Sequence, residues 1–151
     1  MFNAPIPKPS HYETFRQRVR RATSRRGYFL TTKDRRGIQT LLDTQGTRFA
    51  ANPPMLQGFL RHKLRISAHV DEPVPSDLAI SGRLVSYMIS GEGARSGVLS
   101  LDPLPHPGNI LVTSLLGATL IGMRALQKVP LLREDGQIDT VVVLDVSPNA
   151  T

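Results

Sequence analysis

The side chains of this 151-residue chain best suited to chemistry are four histidines, one serine ahead of a short apolar helix, and a concentration of arginines. His11, His62, His69 and His106 are scattered, and none lies on an expected helix with a second histidine or a carboxylate three or four residues away, as a helical metal site requires. His62 is expected on a helix, facing solvent. Ser114 lacks the flanking glycines of a hydrolase nucleophile, and a helix N-cap role accounts for it. Gly91-Glu92-Gly93 has neither the helix nor the lysine of a phosphate-binding loop. Without cysteine there is no thiolate metal site and no disulfide. The sequence therefore predicts no catalytic, cofactor-binding or metal-binding residues.

The arginines point to a different chemistry. Net charge is +7, but residues 1–27 hold seven basic side chains against Glu13 alone, so +6 of it sits there and the remaining 124 residues are close to neutral. Met1–Gly27 also carries three early prolines and little apolar content, which predicts a disordered basic tail. Arg16, Arg18, Arg20, Arg21, Arg25 and Arg26 are its candidates for neutralising DNA or RNA phosphates, in a salt-dependent and sequence-blind way; a solvated terminal arm is the plainer alternative. A mitochondrial-type presequence fits less well, because alanine, leucine and serine are thin here. No apolar run reaches the roughly 18 residues of a membrane span, and the opening MFNAPIPKPS lacks the apolar core of a secretory signal. A cytoplasmic protein that does not engage membranes is expected.

The elements that would carry these residues follow from local signals. Thr31 to Asp34 reads as an N-cap with an acidic residue three positions on, and Ile38, Leu41 and Leu42 mark one face of a helix from about 32 to about 43. Asn52-Pro53-Pro54 opens a second helix, striped by Leu56, Phe59, Leu60 and Leu64 as far as about Ser67. The two stripes predict a short helical hairpin over residues 28–72. Asp71-Glu72-Pro73-Val74-Pro75 is a linker, since two prolines in three residues oppose helix and central strand alike. Beyond it, Ile80–Ile89 and Ser96–Leu101 are strand candidates around a glycine turn, and 101–109 is a proline-rich loop. Ile110–Val129 reads as strand, short helix capped by Ser114, a left-handed stop at Gly122, and strand. After the Glu134-Asp135-Gly136 turn, Gln137–Val146 alternates as a final strand. The fold class is α+β, an antiparallel sheet over residues 73–151 packed on one short helix.

Four stretches carry a family resemblance. Ser114 to Gly122, SLLGATLIG, resembles the "S-P-x-G-x-x-L-x-G" segment in the C-terminal domain of bacterial Gre transcript-cleavage factors and of the Rnk family, the regulators of nucleoside diphosphate kinase. Val74 to Val85, VPSDLAISGRLV, resembles the Rnk-like "V-P-x-D-V-V-T-M-N-S-R-V". Leu30 to Asp43 resembles the Rnk-like "T-x-x-D-x-x-x-L-x-x-L-L", and Leu60 to Leu64 resembles "L-x-x-E-L-x-R-A" with the acidic position replaced. With Lys128–Leu132, the Glu134-Asp135-Gly136 turn and Gln137–Val146, which follow the family's layout of a turn and two closing strands, the resemblance covers Leu30–Val146 in the family's order.

The resemblance implies an FKBP-like fold for the sheet domain and RNA polymerase as partner. In Gre factors a loop written "I-S-x-D-S-P" grips a rim element of the polymerase channel, which marks Ile110, Thr113, Ser114 and Leu115 as docking candidates; Leu111, Thr113 and Leu115 replace its serine, acidic and proline residues. The "G-D" that follows in the family is Leu126-Gln127 here. Gre factors also present carboxylates, which help hold magnesium, at the tip of a long coiled coil. The 44–54 loop has none, Asp43 stands alone beside it, and a helix of this length spans only about 16 Å. The resemblance thus implies a transcription regulator that does not stimulate cleavage, with a blunt hairpin made basic by Arg35, Arg36, Arg48, Arg61, Lys63 and Arg65.

Overall fold

A computed structural model describes residues 27–148. The tail arginines Arg16, Arg18, Arg20, Arg21, Arg25 and Arg26 lie outside the described residues. Among the described residues no helix is long and apolar enough to cross a membrane.

The chain runs β1 (Phe29–Leu30), α1 (Thr32–Asp43), α2 (Pro53–Ile66), β2 (Ala68–His69), β3 (Leu84–Ile89), β4 (Ala94–Ser100), β5 (Asn109–Leu111), α3 (Leu115–Leu120), β6 (Lys128–Leu132) and β7 (Ile138–Ser147). Both long helices start at side-chain caps. Thr31 Oγ1 accepts the Asp34 amide at 3.0 Å and Asn52 Oδ1 accepts that of Met55 at 3.3 Å. The Asp34 carboxylate does not complete a capping box. It is buried and accepts hydrogen bonds from the amide and hydroxyl of Ser81, at 3.1 and 2.5 Å, which ties α1 to the segment before β3.

Five strands form one sheet in the order β5-β4-β3-β7-β6. It is mixed, a correction to the antiparallel sheet expected: β5 lies parallel to β4, because the 101–108 loop turns the chain back so that Asn109 to Leu111 run alongside Val98 to Ser100. Pro130 is accommodated in β6, an edge strand where one missing amide donor costs little. The β3 strand begins at Leu84 because the 79–83 segment serves loop contacts instead, with the Ala79 amide donating to Met123 O at 2.8 Å. A register shift opposite Ser86 and Tyr87 skips Leu144, so Val141, Val143 and Val146 all turn into the core despite unequal spacing.

The core is continuous. Ile38, Leu41, Leu56, Phe59 and Leu60 from the two long helices join Val85, Leu99, Val129 and Val143 from the sheet and Leu115, Ala118 and Leu120 from α3. Helix α2 packs along α3, so α1 and α2 lie against the sheet domain. The parallel pair β1–β2 and the bond from the Phe29 amide to Gly122 O, 3.0 Å, close this joint.

Candidate partner-docking site

The segment from Ile110 to Leu115 connects β5 to α3, and its geometry is set by a local hydrogen-bond ring. Ser114 Oγ accepts the Gly117 amide at 3.0 Å and donates to Leu111 O at 2.7 Å. Gly117 permits this closeness: a Cβ there would stand 1.9 Å from Leu111 O, well inside van der Waals contact. Gly122, at φ 89°, ends α3 in the left-handed region, as its position suggested.

Of the four docking candidates, Ile110 and Leu115 are buried core residues, Thr113 is 9% exposed and Ser114 is half-buried. The surface around them is built by neighbours. A cleft of about 280 Å³ opens beside Thr113 and Ser114, walled by Phe49, Ala50 and Ala51 of the α1–α2 loop, by Pro103 and Pro105, and by Glu134. A second groove of about 240 Å³ shares Ser114 and Glu134; it has Tyr87, Leu116 and Leu131 in its walls and Glu92, Arg95 and Arg133 around them. Sequence reasoning missed Phe49, the two prolines and Glu134. The signal for Phe49 was available, since it is an aromatic side chain outside either helical stripe, and it is 72% exposed with Arg48 4.7 Å above its ring.

At the other end of α3 lies an arrangement the sequence reading placed on the surface. Lys63 is 1% exposed; its Nζ donates to Thr119 O at 2.9 Å and Ile121 O at 2.8 Å, and lies 3.4 Å from the centroid of the Tyr28 ring. The amino group thus serves the orphan carbonyls at the end of α3. Burial pushes the Lys63 pKa well down and the Tyr28 phenol up. His62 is also buried, at 4%, and not solvated, because α2 is covered on more than its Leu56–Leu60 stripe. Arg35 is occupied too, donating to Leu64 O at 2.8 Å and Ser67 O at 3.0 Å at the end of α2. The exposed basic side chains of the two helices and their loop are therefore Lys33, Arg36, Arg48, Arg61 and Arg65.

The Leu126-Gln127 pair has its own structure. Leu126 sits at φ 68° and is 70% exposed, while Gln127 is buried, accepting the Arg124 amide and donating to Gly27 O, both at 3.0 Å. Among the described residues, no group of three or more His, Asp or Glu side chains is placed to hold a metal ion.

No protein-family model matches the chain, and no curated protein matches it in sequence. Among solved structures it is similar to the prokaryotic transcription elongation factor GreA/GreB from Nitrosomonas europaea, at 16% identity and a TM-score of 0.55, over 80% of this chain and 97% of that one. It is more loosely similar to GreA factor homolog 1 of Thermus thermophilus, at 17% identity over 89% and 93% of the two chains, with a TM-score of 0.37 that supports no further argument. The fold is thus Gre-like.

Proposed function

We propose that this protein is a non-enzymatic transcription regulator of the Rnk/Gre type, which docks on RNA polymerase near the secondary channel without stimulating transcript cleavage. The observation that carries the reading is the Gre-like fold, shared over 80% of the chain. In this reading the sheet with α3 across it is the FKBP-like docking domain, and the surface beside Thr113 and Ser114 is its contact face.

The absence of cleavage follows from charge. Between Asp43 and Asp71 the chain has no carboxylate, so the α1–α2 loop offers no hard oxygen ligand to a catalytic divalent ion. It presents Arg48 and Phe49 instead. A second reading draws on the +6 charge of residues 1–27, which would bind nucleic acid through phosphate contacts alone.

The test is binding of the full chain to core RNA polymerase at physiological salt, with a Gre factor as competitor. Mutual displacement is expected. Failure to bind polymerase, with binding to free DNA or RNA that collapses between about 50 and 200 mM salt, would replace this reading with the second.

A further inference from the structure

The cleft beside Thr113 is assembled from four separate segments. Phe49 and Ala50 come from the α1–α2 loop, Pro103 and Pro105 from the β4–β5 loop, Thr113 from the approach to α3, and Glu134 from the β6–β7 turn. Among the residues lining it, Glu134 alone is charged. Its carboxylate is exposed and makes no ion pair or hydrogen bond among the described residues. The adjacent Arg133 does not neutralise it, because that guanidinium is turned to Glu92 and Asp139, each at 3.7 Å. A single unpaired carboxylate in an apolar-walled recess creates a local potential that selects a cation.

We infer that this cleft receives a cationic side chain, arginine or lysine, from an apolar segment of a protein partner, with Glu134 as its counter-charge. Its volume of about 280 Å³ accommodates one long side chain with part of the residue beside it. The Phe49 ring already lies under one guanidinium, that of Arg48 at 4.7 Å, and its 72% exposure leaves it open to a partner's stem or charge. Proline and alanine walls suit the apolar part of such a segment and give it no competing hydrogen bonds. For the identity of the partner, RNA polymerase, the inference rests on the proposed function.

Two measurements on the full chain separate the inference from that reading. The first follows amide NMR shifts during titration with acetyl-Pro-Leu-Arg-Leu-amide and with its glutamine analogue at millimolar concentration. Shifts at Ala50, Thr113 and Ser114 are expected with the arginine peptide only, lost in Glu134→Gln and kept in Asp135→Asn. The latter removes a neighbouring charge while preserving the side-chain oxygen that accepts the Gln137 amide. The second is polymerase affinity, which Glu134→Gln should weaken about fivefold, as expected for a partly exposed ion pair, with a shallower salt dependence. Absent shifts, together with unchanged polymerase affinity in Glu134→Gln, overturn the inference and leave the docking proposal standing. Peptide shifts without polymerase binding by the wild-type chain support the cleft and overturn the choice of partner.

Discussion

Replacing Lys63 with methionine tests whether the buried amino group holds α2 and α3 together. Methionine keeps most of the side-chain volume, so the change isolates the amino group and its hydrogen bonds. Two bonds to carbonyls are lost, at 2.9 and 2.8 Å, each worth roughly 0.5–1.5 kcal/mol with a neutral amine donor and roughly 1.5–3 kcal/mol with an ammonium, together with the contact to the Tyr28 ring. Against this stands relief from burying the polar amino group. The carbonyls of Thr119 and Ile121 remain buried at the end of α3, so the balance is expected to favour wild type by about 3 kcal/mol. Urea unfolding at neutral pH measures it directly, and melting should fall by about 10 °C for a domain of this size. The pH dependence gives an independent check. Burial lowers the Lys63 pKa, so between that value and the ordinary lysine pKa the unfolded chain binds more protons than the folded one. Wild-type stability relative to Lys63→Met must therefore rise with pH across that window. A Lys63→Met protein as stable as wild type would refute the reasoning, showing that desolvation cancels the bonds.

Three further outcomes follow from the same structure. Leu126→Gly should stabilise the protein by roughly 0.5–1 kcal/mol in thermal unfolding, because relief of the φ 68° backbone outweighs the added chain entropy of glycine. Gly117→Ala should destabilise by about 3 kcal/mol or more, since its methyl meets the Leu111 carbonyl at 1.9 Å and backbone must move to accept it; loss of the cooperative unfolding transition reads this out. Tyr28→Phe removes a hydroxyl buried without a hydrogen-bond partner among the described residues and should stabilise by about 1 kcal/mol at neutral pH. Because burial raises the Tyr28 pKa, wild type should also lose stability as pH rises above about 10, where the unfolded phenol ionises and the folded one does not, and Tyr28→Phe should lack that loss.

Local signals in the sequence were read well where one turn of chain decides the outcome. Proline and asparagine opened α2, Ser114 capped α3, Gly122 stopped it, and the Glu134-Asp135-Gly136 turn joined β6 to β7 as expected. What was missed depends on distant partners. Lys63 falls four residues after Phe59 and three after Leu60, in line with the apolar stripe, and its spacing alone signalled burial. Its charge argued for solvent, and the carbonyls that accept it lie 56 and 58 residues away. Asp34 looked like a capping-box acid because its true partner, Ser81, is 47 residues distant. Parallel pairing of β5 depended on where the proline loop delivers the chain, which no periodicity reports. The docking candidates show the same limit. Motif matching found the Ile110–Leu115 segment, but half of it is core, and the exposed chemistry at that place comes from Phe49, Pro103, Pro105 and Glu134.

In the proposed function, the Gre-like fold meets RNA polymerase through the face beside Thr113. Hydrogen–deuterium exchange of the full chain, alone and with core RNA polymerase, tests it most directly. New protection is expected in residues 103–116 and in the 133–137 turn. Protection confined to residues 1–27, or none anywhere, would contradict it.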